Sequence, residues 1–203
     1  KLGLSKNTYV IYTTDNGPWL SFKHHGGSAG PLRDGKGTTF EGGQRVPCVM
    51  WGPGRIPAGT ECSQLVGTID MLPTIASLTG SKLPKGKKID GMDASALLRD
   101  PKARTPRSEF LHYTSRGVIE GIRQGKWKLL VKKPRQPRNR RNAKNKKRPT
   151  PKPQVFLFDL SADIGEQNNL ASAKPKLVEK LNARMKALDA EIEKNARAPW
   201  TTQ

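Results

Sequence analysis

Two stretches of this sequence hold residue types whose spacing could do chemistry. The first is Asp15-Asn16, which follows the apolar run Tyr9-Val10-Ile11-Tyr12 and precedes Gly17-Pro18. A carboxylate beside an amide oxygen offers two hard oxygen donors, a half-site for Ca²⁺ or Mg²⁺. The second is Lys36, set in R-D-G-K-G-T-T-F-E-G-G at 33–43. Glycines at 26, 27, 30, 35, 37, 42 and 43 let the backbone turn tightly and come close to a ligand. Arg33, Lys36 and Arg45 stand among or beside them, and such cations suit an anionic group, for instance a sulfate or phosphate ester. Both stretches also have plainer readings. Asp-Asn-Gly-Pro after a strand is ordinary turn chemistry, and Lys36 fits a surface lysine in a glycine-rich loop.

The other candidates are weaker. His24 and His25 are adjacent and have no metal-ligand partner at a familiar spacing. They read as solvated or rim residues, with His25 a candidate for the mouth of a pocket and Trp19 and Phe22 for its aromatic edge. Cys48 in an apolar run and Cys62 in a polar turn read as one buried thiol and one near the surface, not as a disulfide framework.

The elements that must position these residues follow from periodicity and breakers. Thr8–Thr13 reads as a buried strand that delivers Asp15 and Asn16 at its carboxyl end, the edge where ligands collect in open α/β sheets. Val46, Val49, Met50 and Trp51 read as a second strand, ended by Gly52-Pro53-Gly54. Leu65–Thr68 reads as a short strand or an extended segment. Asp70 is placed to cap a helix over Met71–Leu78, with Leu72, Ile75, Ala76 and Leu78 on its apolar face and Gly80 at its end. Ala94–Arg99 makes one or two helical turns. A boundary near 104 separates a first unit, 1–104, from a smaller second one, 105–203. In the second, Glu109–Tyr113, Val118–Arg123, Trp127–Lys132 and Gln154–Leu160 read as antiparallel strands with Gly117 and Gly125 in the connections. A tail helix begins near Pro175, with Leu177, Leu181, Met185, Leu188 and Ile192 as an amphipathic stripe.

The chain has 203 residues, a hydrophobic content of 34% and a formal net charge of +20. Much of that charge lies in one run, 132–153, which holds eleven Lys and Arg and no acid. Like charges in such a block repel and stay solvated, so the run is expected to be a disordered insertion between the third and fourth strands of the second unit. It suits any polyanion, but it lacks the interleaved aromatics that stack on bases, which disfavours a nucleic-acid partner. No transmembrane run, signal peptide or N-x-S/T sequon is found. The first residue is Lys1, so a fragment or processed product is expected.

Taken together, several motifs resemble a known family. They are T-D-N-G-P at 14–18, G-S-A-G-P-L-R-D-G-K-G-T-T-F-E-G-G at 27–43, R-V-P at 45–47, W-G-P-G-R-I at 51–56, I-D-M-L-P-T-I at 69–75 and V-F-L-F-D-L-S-A-D-I-G-E-Q-N-N-L at 155–170. This ordered set resembles the second half of a type I sulfatase of the arylsulfatase kind, in the alkaline-phosphatase-like superfamily. The resemblance implies an α/β fold: part of a sandwich of a mixed sheet and helices, with a small C-terminal antiparallel sheet packed on a helix. It implies that Asp15 and Asn16 help coordinate one divalent cation, usually Ca²⁺, and that Lys36 binds a sulfate oxygen and stabilises charge on it. Glu41 is expected to hold the loop by pairing with Arg33 or Arg45.

The implied nucleophile is a formylglycine made in Cys/Ser-x-Pro/Ala-x-Arg, which neither Cys48 nor Cys62 fits. It is expected upstream, in an N-terminal half that also supplies further metal ligands. Residues 1–203 alone are accordingly expected to be inactive and to hold no metal tightly. The implied activity is hydrolysis of sulfate monoesters, with a sulfated polysaccharide as one substrate class, in a secreted or periplasmic compartment. The alternatives are a phosphonate or phosphate monoester hydrolase of the same superfamily, or an inactive remnant whose basic run binds polyanions.

Overall fold

The computed structural model describes residues 2–86, 88–134 and 152–196. Most of the basic run at 132–153 lies outside the described residues, and so does the expectation that it is disordered. Strand β1 (Val10–Thr13) pairs antiparallel with β2 (Cys48–Trp51), in the register Val10 to Trp51 and Thr13 to Cys48. The glycine-rich segment between them carries a 3₁₀ segment, Leu20–His25, kinked at Lys23 where φ is 50°, and one short helix, α1 (Glu41–Gln44). β1 is not the buried strand that its composition suggests. In a two-stranded ladder alternate side chains face opposite ways, and only one face is supported here. Tyr9, Ile11 and Met50 line a small apolar seam with Met71, Ile75 and Leu78, whereas Val10, Tyr12, Val49 and Trp51 are exposed. Cys48, at the start of β2, is exposed and not the buried thiol expected; Cys62, in the loop beyond β2, is exposed as well, and both are free thiols.

Helix α2 (Met71–Thr79) ends at Gly80 in the left-handed conformation, as expected, with φ of 69°. Its apolar face is rotated from the expected one: Pro73, Thr74 and Ala76 are buried, while Leu72 and Ile75 are exposed. Residues 65–67 form no strand, and Thr68–Asp70 is a 3₁₀ turn leading into α2. Asp70 does not cap α2. Its carboxylate accepts from the Gly67 and Met92 amides, each at 2.8 Å, and from Arg107 Nε at 2.8 Å and Nη2. Arg107 also donates to the Asp90 carbonyl at 2.9 Å. The pair is buried, so the full set of bonds is what makes two charges tolerable there. It ties three loops together beside α3 (Ser95–Arg99).

Strands β3 (Glu109–Tyr113), β4 (Ile119–Gln124), β5 (Trp127–Lys132) and β6 (Gln154–Asp159) form an antiparallel meander in sequence order. Helix α4 (Pro175–Asn195) covers one face. Pro175 opens it because a first-turn residue needs no amide partner. Leu177, Leu181, Met185 and Leu188 recur at helical spacing and meet Ile122, Leu129 and Leu157. Leu181 and Met185 are fully sealed, each contributing roughly 2 kcal/mol by area removed from water. Ile192 remains partly exposed.

The other face is polar as well as apolar, and a register break helps to make it so. His112 pairs with Gly121, yet Tyr113 pairs with Ile119, so Glu120 is an extra residue in β4. Ile119 and Ile122, three apart, both pack towards α4. Glu120, Gly121 and Arg123 are thereby left for the second face, a β-bulge re-aiming a side chain.

Candidate functional site

The glycine-rich segment is folded upon itself by backbone hydrogen bonds. Gly17 N donates to Gly43 O at 3.2 Å, Lys36 N to Pro18 O at 2.9 Å, and Gly42 N to Arg33 O at 2.8 Å. A Cβ on Gly17 would fall 1.7 Å from Gly42 O, and one on Gly42 would fall 2.2 Å from Asp34 O. Backbone-to-backbone approach this close is open only to glycine. The crowding of glycines that suggested a close-fitting loop is therefore spent on packing the loop against itself.

The clamp brings two of the sequence candidates to one turn. Asp15 and Asn16 follow β1, the first exposed and the second half-buried, and Pro18, two residues on, holds the Lys36 amide. The Lys36 ammonium is exposed and stands 5.5 Å from the Trp19 ring centroid. Trp19 and Phe22 are tilted against each other at 4.3 Å, both about half exposed. His24 and His25 close the 3₁₀ turn and are exposed. Among the described residues neither shares a hydrogen bond with Asp15, Asn16 or Lys36. The third histidine, His112, lies on β3. It is buried on the second face of the sheet, and burial, then the charges of Lys128 and Arg123, hold its pKa well below the ordinary 6.5.

Asp15 and Asn16 carry oxygen donors of the hard kind that calcium takes. Ca²⁺ takes six to eight oxygens, and this turn offers a carboxylate and a neutral amide oxygen on adjacent residues. No cluster of three or more His, Cys, Asp or Glu suited to a metal is found among the described residues.

Glu41 does hold the loop, but not through Arg33 or Arg45. Its carboxylate meets Lys128 Nζ at 2.8 Å, with Arg123 Nη1 at 3.5 Å. Lys128 Nζ also lies 2.9 Å from Glu166, whose other oxygen accepts from the Glu41 amide at 2.7 Å. Burial pushes the Glu166 carboxyl above its ordinary value, against the pull of Lys128 and of that amide. Arg33 instead donates to the Glu166 carbonyl at 2.8 Å and lies 4.0 Å over the Phe40 ring. Lys132 sits 4.0 Å from the same ring centroid, and Thr39 donates to Glu120 at 2.5 Å. The segment 39–41 is thus gripped from β4, β5 and the turn after β6. Sequence reading missed Lys128, Glu166 and Glu120. The available signal was alternation: in W-K-L-L-V-K, Lys128 takes the face opposite Trp127 and Leu129.

The family description Sulfatase matches residues 1–81, and C-terminal region of aryl-sulfatase matches residues 105–199. The chain is 39% identical over 178 residues to arylsulfatase A of Bos taurus, covering 83% of this chain and 34% of that protein. It is 50% identical over 93 residues to N-acetylgalactosamine-6-sulfatase of Mus musculus, covering 45% of this chain and 18% of that protein. Among solved structures, PsFucS1 sulfatase from Pseudoalteromonas sp. is similar with a TM-score of 0.76 at 27% identity, over 97% of this chain and 40% of that one. The chain spans little more than a third of the length of the arylsulfatases A that it matches, at 34% and 39%.

Proposed function

This chain belongs to the sulfatase family, and on that premise we propose that it works, with a segment that supplies the nucleophile, as a hydrolase of sulfate monoesters. The observation that supports this reading is the bond from the Lys36 amide to the Pro18 carbonyl, which ties the Lys36 backbone to the turn that follows Asp15 and Asn16. In this reading Asp15 and Asn16 hold one side of a divalent cation, Ca²⁺ by family habit. The cation would neutralise sulfate oxygens. Asp15 supplies the charge, and Asn16 adds an oxygen without a second negative charge. Lys36 faces another sulfate oxygen and stabilises the charge that grows there as the ester bond breaks, a contribution largest where water is kept out. Trp19 and Phe22, exposed beside Lys36, suit a sugar ring carrying the sulfate, so sulfated polysaccharides are the favoured substrate class, with His25 at the edge of that pocket.

The nucleophile, a formylglycine formed in Cys/Ser-x-Pro/Ala-x-Arg, is assigned to a segment beyond these residues. The same segment would cover the exposed Val10, Tyr12, Val49 and Trp51. The compartment assigned on family grounds is secreted or periplasmic. No helix among the described residues is long and apolar enough to cross a membrane.

The test uses protein that contains this chain together with a Cys/Ser-x-Pro/Ala-x-Arg segment. It is offered matched aryl sulfate, phosphate and phosphonate esters, with and without a chelator. Chelator-sensitive release of sulfate is expected. Preference for the phosphorus esters would move the assignment to the related hydrolases, and turnover of none would overturn it.

A further inference from the structure

We propose that Glu41, Lys128 and Glu166 are positioning residues, a buried ionic clasp by which the C-terminal sheet sets the place of Lys36. The inference rests on the sulfatase reading for its catalytic meaning, but not for its geometry.

Lys128 is wholly inaccessible to solvent, and so is Glu166, while Glu41 is nearly so. A buried ammonium is costly unless paired and hydrogen-bonded. Here two carboxylates meet it from separate parts of the chain, one opening α1 and one in the turn after β6, at 2.8 and 2.9 Å. Arg123 adds a second cation 3.5 Å from Glu41, so two positive groups face two negative ones. Glu166 has a left-handed backbone, with φ of 53°, a conformation seldom adopted by a side-chain-bearing residue. Three contacts hold it there: its amide to Asp163 O at 3.2 Å, its carbonyl to Arg33, and its carboxylate to the Glu41 amide. Strain kept in place by surrounding contacts marks a position that something depends on.

The clasp reaches Lys36 through a short, bonded stretch of chain. Glu41 follows Lys36 by five residues. Between them Thr38 bonds back to Gly35 through both its amide and its hydroxyl, and Thr39 is held by Glu120. Gly42, next to Glu41, bonds Arg33 on the far side of Lys36. A shift of Glu41 therefore moves both ends of the Lys36 turn. An apolar replacement of a buried ion set can be equally stable, so stability alone gives no reason for ions here. Directional bonds fix one register of loop on sheet, which hydrophobic contact would leave free to slide.

The experiment is amide hydrogen exchange on the full chain, comparing the parent with K128M and E166Q. The Lys36 and Gly42 amides are expected to lose at least tenfold more protection than the amides of Leu129, Leu157 and the middle of α4, whose protection follows global stability. Unchanged protection at Lys36 and Gly42 would overturn the proposal, as would equal loss throughout. Should K128M fail to fold, E166Q, which keeps its size, decides alone. In protein that turns over sulfate esters, E166Q is expected to lower kcat tenfold or more with KM changed less than threefold. A change in KM alone would also overturn the clasp. If the parent hydrolyses no ester, the functional reading fails while the exchange result still decides the clasp.

Discussion

Lys128 Nζ and a Glu166 carboxylate oxygen lie 2.9 Å apart, and neither side chain touches solvent. Truncating one partner strands the other's charge. Lys128→Ala or Glu166→Ala should each reduce stability by about 3–5 kcal/mol. The double variant Lys128→Ala/Glu166→Ala should lose less than the sum of the two single losses, because the pair is removed together. Urea unfolding of the four proteins checks this, and strict additivity would mean that the two groups do not interact.

Asp70 and Arg107 make a second buried pair, with a pH signature. Burial alone would raise the Asp70 pKa, but the Arg107 bonds and the Gly67 and Met92 amides outweigh it and hold the carboxyl below its ordinary 3.8. A depressed carboxylate contributes stability that is fully present above the ordinary value and is lost as pH falls through the folded one. Stability should therefore drop on acidification below about pH 4, and Asp70→Asn should flatten that limb while weakening the protein at neutral pH. Denaturant midpoints between pH 2 and 7 measure both effects.

His112 acts at milder pH. Its imidazole is buried beside Phe110 and is held neutral, first by burial and then by Lys128 and Arg123. The unfolded chain takes up this proton near pH 6.5 and the folded chain resists it, so stability falls as pH drops below that value. The limiting slope is about 1.4 kcal/mol per pH unit for one proton. His112→Phe should abolish this part of the pH dependence. An unchanged profile between pH 5 and 7 would show that the ring takes its proton as readily folded as unfolded.

Lys36 is the residue on which the proposed chemistry turns. Lys36→Ala should cut kcat/KM for a sulfate ester about 10²–10³-fold, the usual loss for one charge-stabilising donor. Lys36→Arg should recover little, since a planar fork replaces a compact ammonium. Near-normal turnover by Lys36→Ala would remove it from the site.

Gly17→Ala tests the backbone clamp. The new methyl would fall 1.7 Å from Gly42 O, so the Gly17–Gly43 bond must open. A loss of about 1–3 kcal/mol is expected, as for overpacking elsewhere. A neutral effect in denaturant titration would mean that the two strands of the loop part freely.

Much of this was legible in the sequence where local pattern decides the outcome. Strands β3 to β6 are apolar-rich runs separated by turn residues, and the stripe on α4 has helical spacing, so both stood within a residue or two of their expected bounds. What failed depends on distant neighbours. Glu41 was assigned to Arg33 or Arg45, cations close in sequence, whereas its partner Lys128 lies 87 residues away, inside an apolar run. Asp70 read as a helix cap because Arg107 was out of view. The apolar residues of β1 gave its type correctly but not its burial, which depends on what covers the ladder. At the candidate site, the types and spacing of Asp15, Asn16 and Lys36 were visible at once. The bond that brings Lys36 to Pro18 was not, because it depends on how glycines close a loop.

The extra residue in β4 has a further consequence. It acts as a phase shifter: upstream of it odd-numbered residues face α4, and downstream even-numbered ones do. Ile119 and Ile122 can thus both remain in the helix-facing core while Glu120 and Arg123 turn to the loop that carries Lys36. Deleting Glu120 would therefore do more than remove an acceptor from Thr39. It would put the two ends of β4 back in step, so that either an isoleucine or an ion partner must face the wrong layer.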